Sequence, residues 1–528
     1  MNAQRHLILL LALATASHGA ITLPQIFSPG VVLQRDTPIA IWGTAEPGEK
    51  ITVRLTPSAT AAAAADPVTG YWRLALPAQP ATNATHPRTL IITGTTSATP
   101  IRIPDVLVGE VWFASGQSNM EWIVKETDDA PAEIARSANP GIRIIRIQRA
   151  IADAPAANIE GKWAAASPAI TGWMTAVGYY FAKKLSADLG GIPVGIINAS
   201  RGSARIQPWI PAPAFDKTPA FAPDRAAWQR ALAAHPAAKT AHDQKLAAWQ
   251  AAADSARAAR KTPPRRPEPP YGPGHYNQPS GLYNGMVAPL TPYAIRGILW
   301  YQGEANARQA AQYREALPAL ITSWREAWGN PRLPFLVVQL APYRDIPRGF
   351  LPDGLERAAL REAQALATRQ LPRTGLVVTL DLGGPDSAEH PRNKRPVGER
   401  LARLAQPLAY ARPPPDNQPA AGPTLANVTY DGPVARVTWQ PGTATGLRTT
   451  GTAAPAAFEI AGADRRFHPA TARIENRTTI VLSSPDVPAP VAVRYAFCND
   501  PRVNLVNSAN LPAAPFRTDD WPLPARNP

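Results

Sequence analysis

Along residues 20 to about 103, short apolar runs alternate with turn residues. Val31-Val-Leu-Gln, Ile39-Ala-Ile-Trp, Ile51-Thr-Val-Arg-Leu and Trp72-Arg-Leu-Ala-Leu are separated by Ser28-Pro-Gly, Glu46-Pro-Gly and Thr69-Gly. A period near two, broken at this spacing, predicts a β-rich, sandwich-like module. The pattern then changes. Val106–Phe113, Val194–Asn198, Gly297–Tyr301, Phe335–Leu340 and Gly375–Leu382 are continuous apolar runs of strand length. Between or after them the apolar positions follow a helical period over 175–189, 308–328, 355–370 and 397–410; Ala319, Leu320, Trp324 and Ala327 mark one such face. Strands that are apolar throughout and alternate with helices predict an α/β domain over 104–411, its parallel sheet covered on both faces. An Ala/Pro-rich insertion at about 211–280 interrupts it, with one helical run near 225–258 followed by Pro263-Pro-Arg-Arg-Pro-Glu-Pro-Pro. From 412 to 528 strand patterns return (Val434-Ala-Arg-Val-Thr-Trp, Thr479-Ile-Val-Leu, Val491-Ala-Val-Arg-Tyr) and predict a second β-rich module.

The first nineteen residues fit none of these patterns. Arg5 and His6 precede an apolar run from Leu7 to Leu13 and an Ala14-Thr-Ala16 cleavage signature. We expect a signal peptide over 1–19 and export to a periplasm or the medium. No later stretch holds 18 uninterrupted apolar residues, so no membrane span is expected.

Composition narrows the classes further. Proline fills 60 of 528 positions, about twice the usual share of near 5%, yet 45% of residues are hydrophobic and 14 are Trp, which is ample for packed cores. The formal charge is +15, but the basic residues are dispersed. Their densest group, Arg257, Arg260, Lys261, Arg265 and Arg266, lies in the proline-rich stretch with no helical period, so we expect solvated surface charge and no nucleic-acid partner. A single cysteine, Cys498, excludes an internal disulfide and any cysteine-based zinc cluster. No His-x-x-x-His pair is present either, so neither a metal nor a cofactor is expected.

In open parallel sheets, chemistry collects beyond the carboxyl ends of strands. There the chain carries Ala114-Ser-Gly-Gln-Ser-Asn-Met-Glu-Trp, Ala199-Ser-Arg-Gly-Ser, Gln302-Gly-Glu-Ala-Asn and the segment from Asp381 to His390. Ser118 sits at a strand-to-helix turn that Gly116 permits, a place where a hydroxyl is exposed and backbone N–H groups face a developing oxyanion. Of the eight histidines, His6 and His18 fall in or beside the leader. His86 and His468 lie in the β modules, and His235, His242 and His275 in the insertion. Only His390 follows a sheet strand and directly precedes a helix, which makes it the candidate base.

The block Val108-Gly-Glu-Val-Trp-Phe-Ala-Ser-Gly-Gln-Ser-Asn-Met-Glu-Trp resembles the nucleophile block of the sialate O-acetylesterase family within the SGNH/GDSL hydrolases. Leu282-Tyr-Asn-Gly-Met-Val-Ala-Pro-Leu, Gly297-Ile-Leu-Trp-Tyr-Gln-Gly-Glu-Ala-Asn, His390-Pro-Arg-Asn-Lys and Val397-Gly-Glu-Arg-Leu-Ala recur in the family's order. So do Val32-Leu-Gln-Arg-Asp near the start and Leu511-Pro-Ala-Ala-Pro-Phe-Arg-Thr-Asp at the end. The resemblance implies an SGNH-type, flavodoxin-like three-layer α/β/α hydrolase domain flanked by the two β-sandwich-like modules. It implies a metal-free serine esterase acting on acetylated sugars or glycans, with Ser118 as nucleophile and His390 as base. Oxyanion donors would be the N–H groups of Ser118 and Gly202 and the Asn306 amide. Gln117, Arg201, Gln302 and Glu304 are candidates for binding substrate; Glu304 is equally placed to orient a partner or cap the next helix.

Two departures stand out. Ser200-Arg-Gly-Ser replaces the family's Ser-Trp-Gly-Gly, putting Arg201 where an aromatic wall is usual and offering paired donors to a sugar carboxylate. The family's aspartate two or three residues before the histidine is absent. Asp386, a main-chain carbonyl or a Ser–His dyad remain open for the third role. Acetylated xylan or another plant polysaccharide is an alternative substrate, and a non-catalytic glycan-binding protein the alternative of another class.

Overall fold

The computed structural model describes residues 20–57, 59–97, 99–344, 354–383 and 388–523. The expected signal peptide at 1–19 and Asp386 therefore lie outside the described residues.

A seven-strand sheet forms the centre. Its strands are β1 (Ile101–Gly116), β2 (Asn139–Arg146), β3 (Trp163–Ala166), β4 (Val194–Ser200), β5 (Gly297–Tyr301), β6 (Phe335–Val338) and β7 (Thr374–Val377). They lie in the order β7-β6-β5-β1-β4-β2-β3 and run parallel except for β3, which is antiparallel to β2. Besides two six-residue helices at Ala130–Ala135 and Ala212–Lys217, the helices are α1 (Ser118–Glu121), α2 (Ala176–Asp188), α3 (Ala222–Ala258), α4 (Ala310–Ala327), α5 (Glu356–Gln370) and α6 (Arg395–Ala409). Because successive strand residues point to opposite faces, Trp112 and Ala114 pack with α2 and α6, while Val111 and Phe113 pack with α4 and α5. Both faces are thus dry, which is why these strands read as unbroken apolar runs.

β1 is the longest strand, and its two halves do different work. Ile101–Val106 pairs antiparallel with Arg88–Gly94 of the N-terminal sheet, whose other strands are Lys50–Leu55 and Ala59–Ala64. From Leu107 the strand enters the central sheet, beside Val32–Gln34 and then between β4 and β5. The boundary expected near 103 therefore falls inside one strand, and the N-terminal module shares a continuous core with the α4/α5 face. The C-terminal strands build a separate core that also takes in Val378 and Leu380, just beyond β7. The buried Arg361 of α5 ties the two together by donating to the carbonyls of Leu340, Ala341, Cys498 and Asn499. β2, which pattern reading passes over, carries a buried Arg143. Its guanidinium is satisfied by the carboxylate and carbonyl of Asp105, each at 2.6 Å.

Candidate active site

β1 ends on Gly116, which has φ +137° and lies so close to β5 that a Cβ there would sit 2.1 Å from the Tyr301 carbonyl. Only glycine allows this approach. The next residue, Gln117, donates its N–H to the same carbonyl at 3.0 Å, and α1 starts at Ser118. The nucleophile candidate is thus fixed at the carboxyl end of the middle strand.

His390 comes from the loop ahead of α6. Its Nε2 lies 2.8 Å from Ser118 Oγ, and its ring stacks on Trp122 with centroids 4.9 Å apart and planes 19° from parallel. The side chain of Asn119 joins the two loops. Its Nδ2 donates to the Glu389 carbonyl at 3.0 Å and to Glu304 Oε1 at 2.6 Å, while its Oδ1 accepts from Lys394 Nζ. Lys394 is fully enclosed; burial pushes its ammonium down to about 7, with Glu304 acting in the opposite direction. Burial likewise raises the Glu304 carboxyl, against the attraction of Arg357 and the hydrogen bond from Asn119. Glu304 thus holds the residue next to the nucleophile, and it also opens the helical turn Glu304–Gln309.

Gln117 and Gln302 are also drawn inward. Gln117 Oε1 accepts from Gln302 Nε2 and from the N–H groups of Gly303 and Ala305. Gln302 Nε2 donates further to Ala204 O and Asn306 Oδ1, and its Oε1 accepts from the Tyr313 hydroxyl. Gln302 is completely buried, so as a substrate contact it is corrected to a brace between the loops after β1, β4 and β5.

The three oxyanion candidates separate. Ser118 N–H opens α1, where a helix supplies no acceptor of its own. Gly202 is close by, since a Cβ on it would lie 3.7 Å from Ser118 Cβ, but its N–H donates to Glu121 Oε2 at 2.9 Å. Glu121 is held from its other side by Arg146 at 2.9 Å and Arg149 at 2.5 Å. Asn306 is corrected. The Ile206 N–H, 2.9 Å from Oδ1, fixes the orientation of the amide, and Nδ2 is given to Gln207 Oε1 and Gln309 Oε1. Both amide hydrogens are used inside the protein.

Arg201 sits beside this centre. It donates to the Gly202 carbonyl, and its guanidinium lies 4.4 Å from the ring centroid of Tyr276, which the insertion brings back over the site. Burial, then Arg149, lowers its pKa. It packs the loop against the insertion, and no carboxylate pairs with it directly among the described residues. These residues also hold no group of three His, Cys, Asp or Glu placed to bind a metal ion. Sequence reading left Asn119, Glu121, Trp122 and Lys394 without roles, although the blocks around Ser118 and His390 contain all four. Their position within one turn of the two reactive residues was the available signal.

A profile for the carbohydrate esterase, sialic acid-specific acetylesterase domain matches residues 274–406, the stretch that carries Gln302, Glu304 and His390. The chain is 28% identical over 477 residues to a sialate O-acetylesterase from Rattus norvegicus, covering 81% of this chain and 79% of the relative. Against the sialate O-acetylesterase of Homo sapiens it is 26% identical over 363 residues, 63% of this chain and 57% of the relative. Among solved structures, a carbohydrate acetylesterase from Xanthomonas citri superposes with TM-score 0.78 and 34% identity, over 95% of this chain and all of the other. Agreement with that enzyme over 95% of the chain at 34% identity means that the chain belongs to the sialate O-acetylesterase-like family of carbohydrate acetylesterases.

Proposed function

We propose that this protein is an exported serine esterase that removes acetyl groups from the hydroxyls of carbohydrates. The 2.8 Å contact between Ser118 Oγ and His390 Nε2, at the carboxyl end of the central strand, carries the reading. Oγ attacks the acetyl carbonyl as its proton passes to Nε2. The tetrahedral oxyanion forms against the N–H groups of Ser118 and Gly202, and collapses as the imidazolium gives the proton to the departing sugar oxygen. Water, activated by the same imidazole, then releases acetate from the acyl-enzyme. Gly202 N–H becomes available only if the Glu121 carboxylate moves off it toward Arg146 and Arg149, so arrival of the acyl oxygen displaces an internal ligand. No step calls on a metal. The leader at 1–19 supports export, and an extracellular polysaccharide fits that location.

Ser118→Ala tests the reading. It is expected to lose at least about a thousandfold in kcat on 4-nitrophenyl acetate while keeping its circular dichroism spectrum. A folded variant with near-native turnover would overturn the assignment of Ser118, and a native chain with no turnover would favour a glycan-binding role.

A further inference from the structure

A pocket of about 200 Å³ opens beside the reactive centre, between the loop that follows α1, the end of β4 and the start of α2. Glu121 belongs to both, with one oxygen on Gly202 and the other on Arg146 in the pocket wall. Two observations mark it as more than a surface crease. Among the eight large apolar side chains that the described residues leave exposed, two line it: Trp173 at 60% and Ile170 at 41%. The Lys125 ammonium lies over one face of the Trp173 indole, 3.1 Å from the ring centroid. Asn198, only 3% exposed, also lines the pocket. One end of its carboxamide accepts from Ser200 Oγ at 2.9 Å, while Nδ2 has no partner among the described residues. A buried amide left unpaired costs free energy unless a ligand or water completes it.

An aromatic surface and an unmet hydrogen-bond donor in one pocket, with Arg146 and Lys162 also in its lining, is the chemistry of a pyranose site. A pyranose held there would lay its C–H face on the indole and bring a hydroxyl to the amide. At about 30 Å³ per water, the volume suits one ring rather than an oligosaccharide. We infer that this pocket is a sugar subsite that holds, on Trp173 and Asn198, the pyranose next to the acetylated one. The inference rests on the carbohydrate esterase reading and assigns it a glycan contact beyond the reacting residue.

Binding and turnover separate the two claims. Full-length Ser118→Ala is titrated calorimetrically with xylo-oligosaccharides and with sialyllactose, alone and combined with Trp173→Ala, Trp173→Phe or Asn198→Ala. Trp173→Ala and Asn198→Ala are each expected to weaken binding of at least one oligosaccharide about tenfold, with Trp173→Phe recovering most of the loss. In the Ser118 background of the native chain, Trp173→Ala should raise KM on the corresponding acetylated oligosaccharide, and the loss in kcat/KM should exceed that on 4-nitrophenyl acetate about tenfold. Unchanged affinity in both Trp173→Ala and Asn198→Ala overturns the subsite and leaves the esterase reading standing. Equal losses on glycan and 4-nitrophenyl acetate also overturn it. Binding that depends on Trp173, in a native enzyme that releases acetate from no acetylated glycan, supports the subsite and overturns the carbohydrate esterase reading.

Discussion

Lys394 shows how much of the site is decided by residues that never meet substrate. Its ammonium is enclosed and touches Asn119, which in turn holds Glu304 and the backbone beside His390. A lysine whose folded pKa lies below its unfolded one binds fewer protons in the folded state across that interval. With values of about 7 folded and about 10.4 unfolded, stability contributed by this group rises with pH through that window. Urea unfolding of the native chain and Lys394→Met at pH 7 and pH 9.5 should show the difference moving in favour of the native chain at the higher pH. A pH-independent difference would mean that Lys394 is not held as described. At the same scale, Asp386→Asn should reduce kcat far less than His390→Ala, because the Trp122 stack and the clamp on Glu389 already hold the imidazole. Equal losses would make Asp386 a full triad member. Ser118 and His390 were legible from their places after strands. The inward turn of Gln302 and Asn306 was not, because a motif names a residue without saying which way its amide points.

The elements were legible where one physical signal dominated. β4, β5 and β6 are buried on both faces and read as plain apolar runs; α4 and α6 show their period because only one face is buried. β2 was hidden by Arg143, whose charge breaks an apolar run and pairs with a carboxylate distant in sequence, that of Asp105. The end of β1 carries a sharper constraint. Gly116→Ala would drive a Cβ into the Tyr301 carbonyl at a φ that L-residues avoid. We expect a loss of about 3 kcal/mol or more in urea unfolding, together with lost activity. Stability equal to the native chain would show that the β1–β5 approach relaxes freely.

At the scale of the whole molecule, the three regions are joined more tightly than composition suggests. Pattern reading separates them because β-rich and α/β segments differ in period, and continuity of a strand across two sheets leaves no mark in that period. β1 belongs to both the N-terminal and central sheets, and Arg361 anchors α5 to the C-terminal module. A chain starting at residue 104 would cut into the first half of β1 and expose the apolar face shared with residues 20–103. It should be unfolded or aggregated by circular dichroism and light scattering. A soluble, cooperatively folding 104–528 fragment would show that the N-terminal module is dispensable.

The central claim is that Ser118 carries the acyl group. The most direct measurement is mass spectrometry of the enzyme digested after acid quench during turnover of an acetyl ester. The peptide containing Ser118 should carry one acetyl group, absent from Ser118→Ala and greatly reduced in His390→Ala. Acetate release with that peptide unmodified throughout, or with the acetyl group on another residue, would contradict the account.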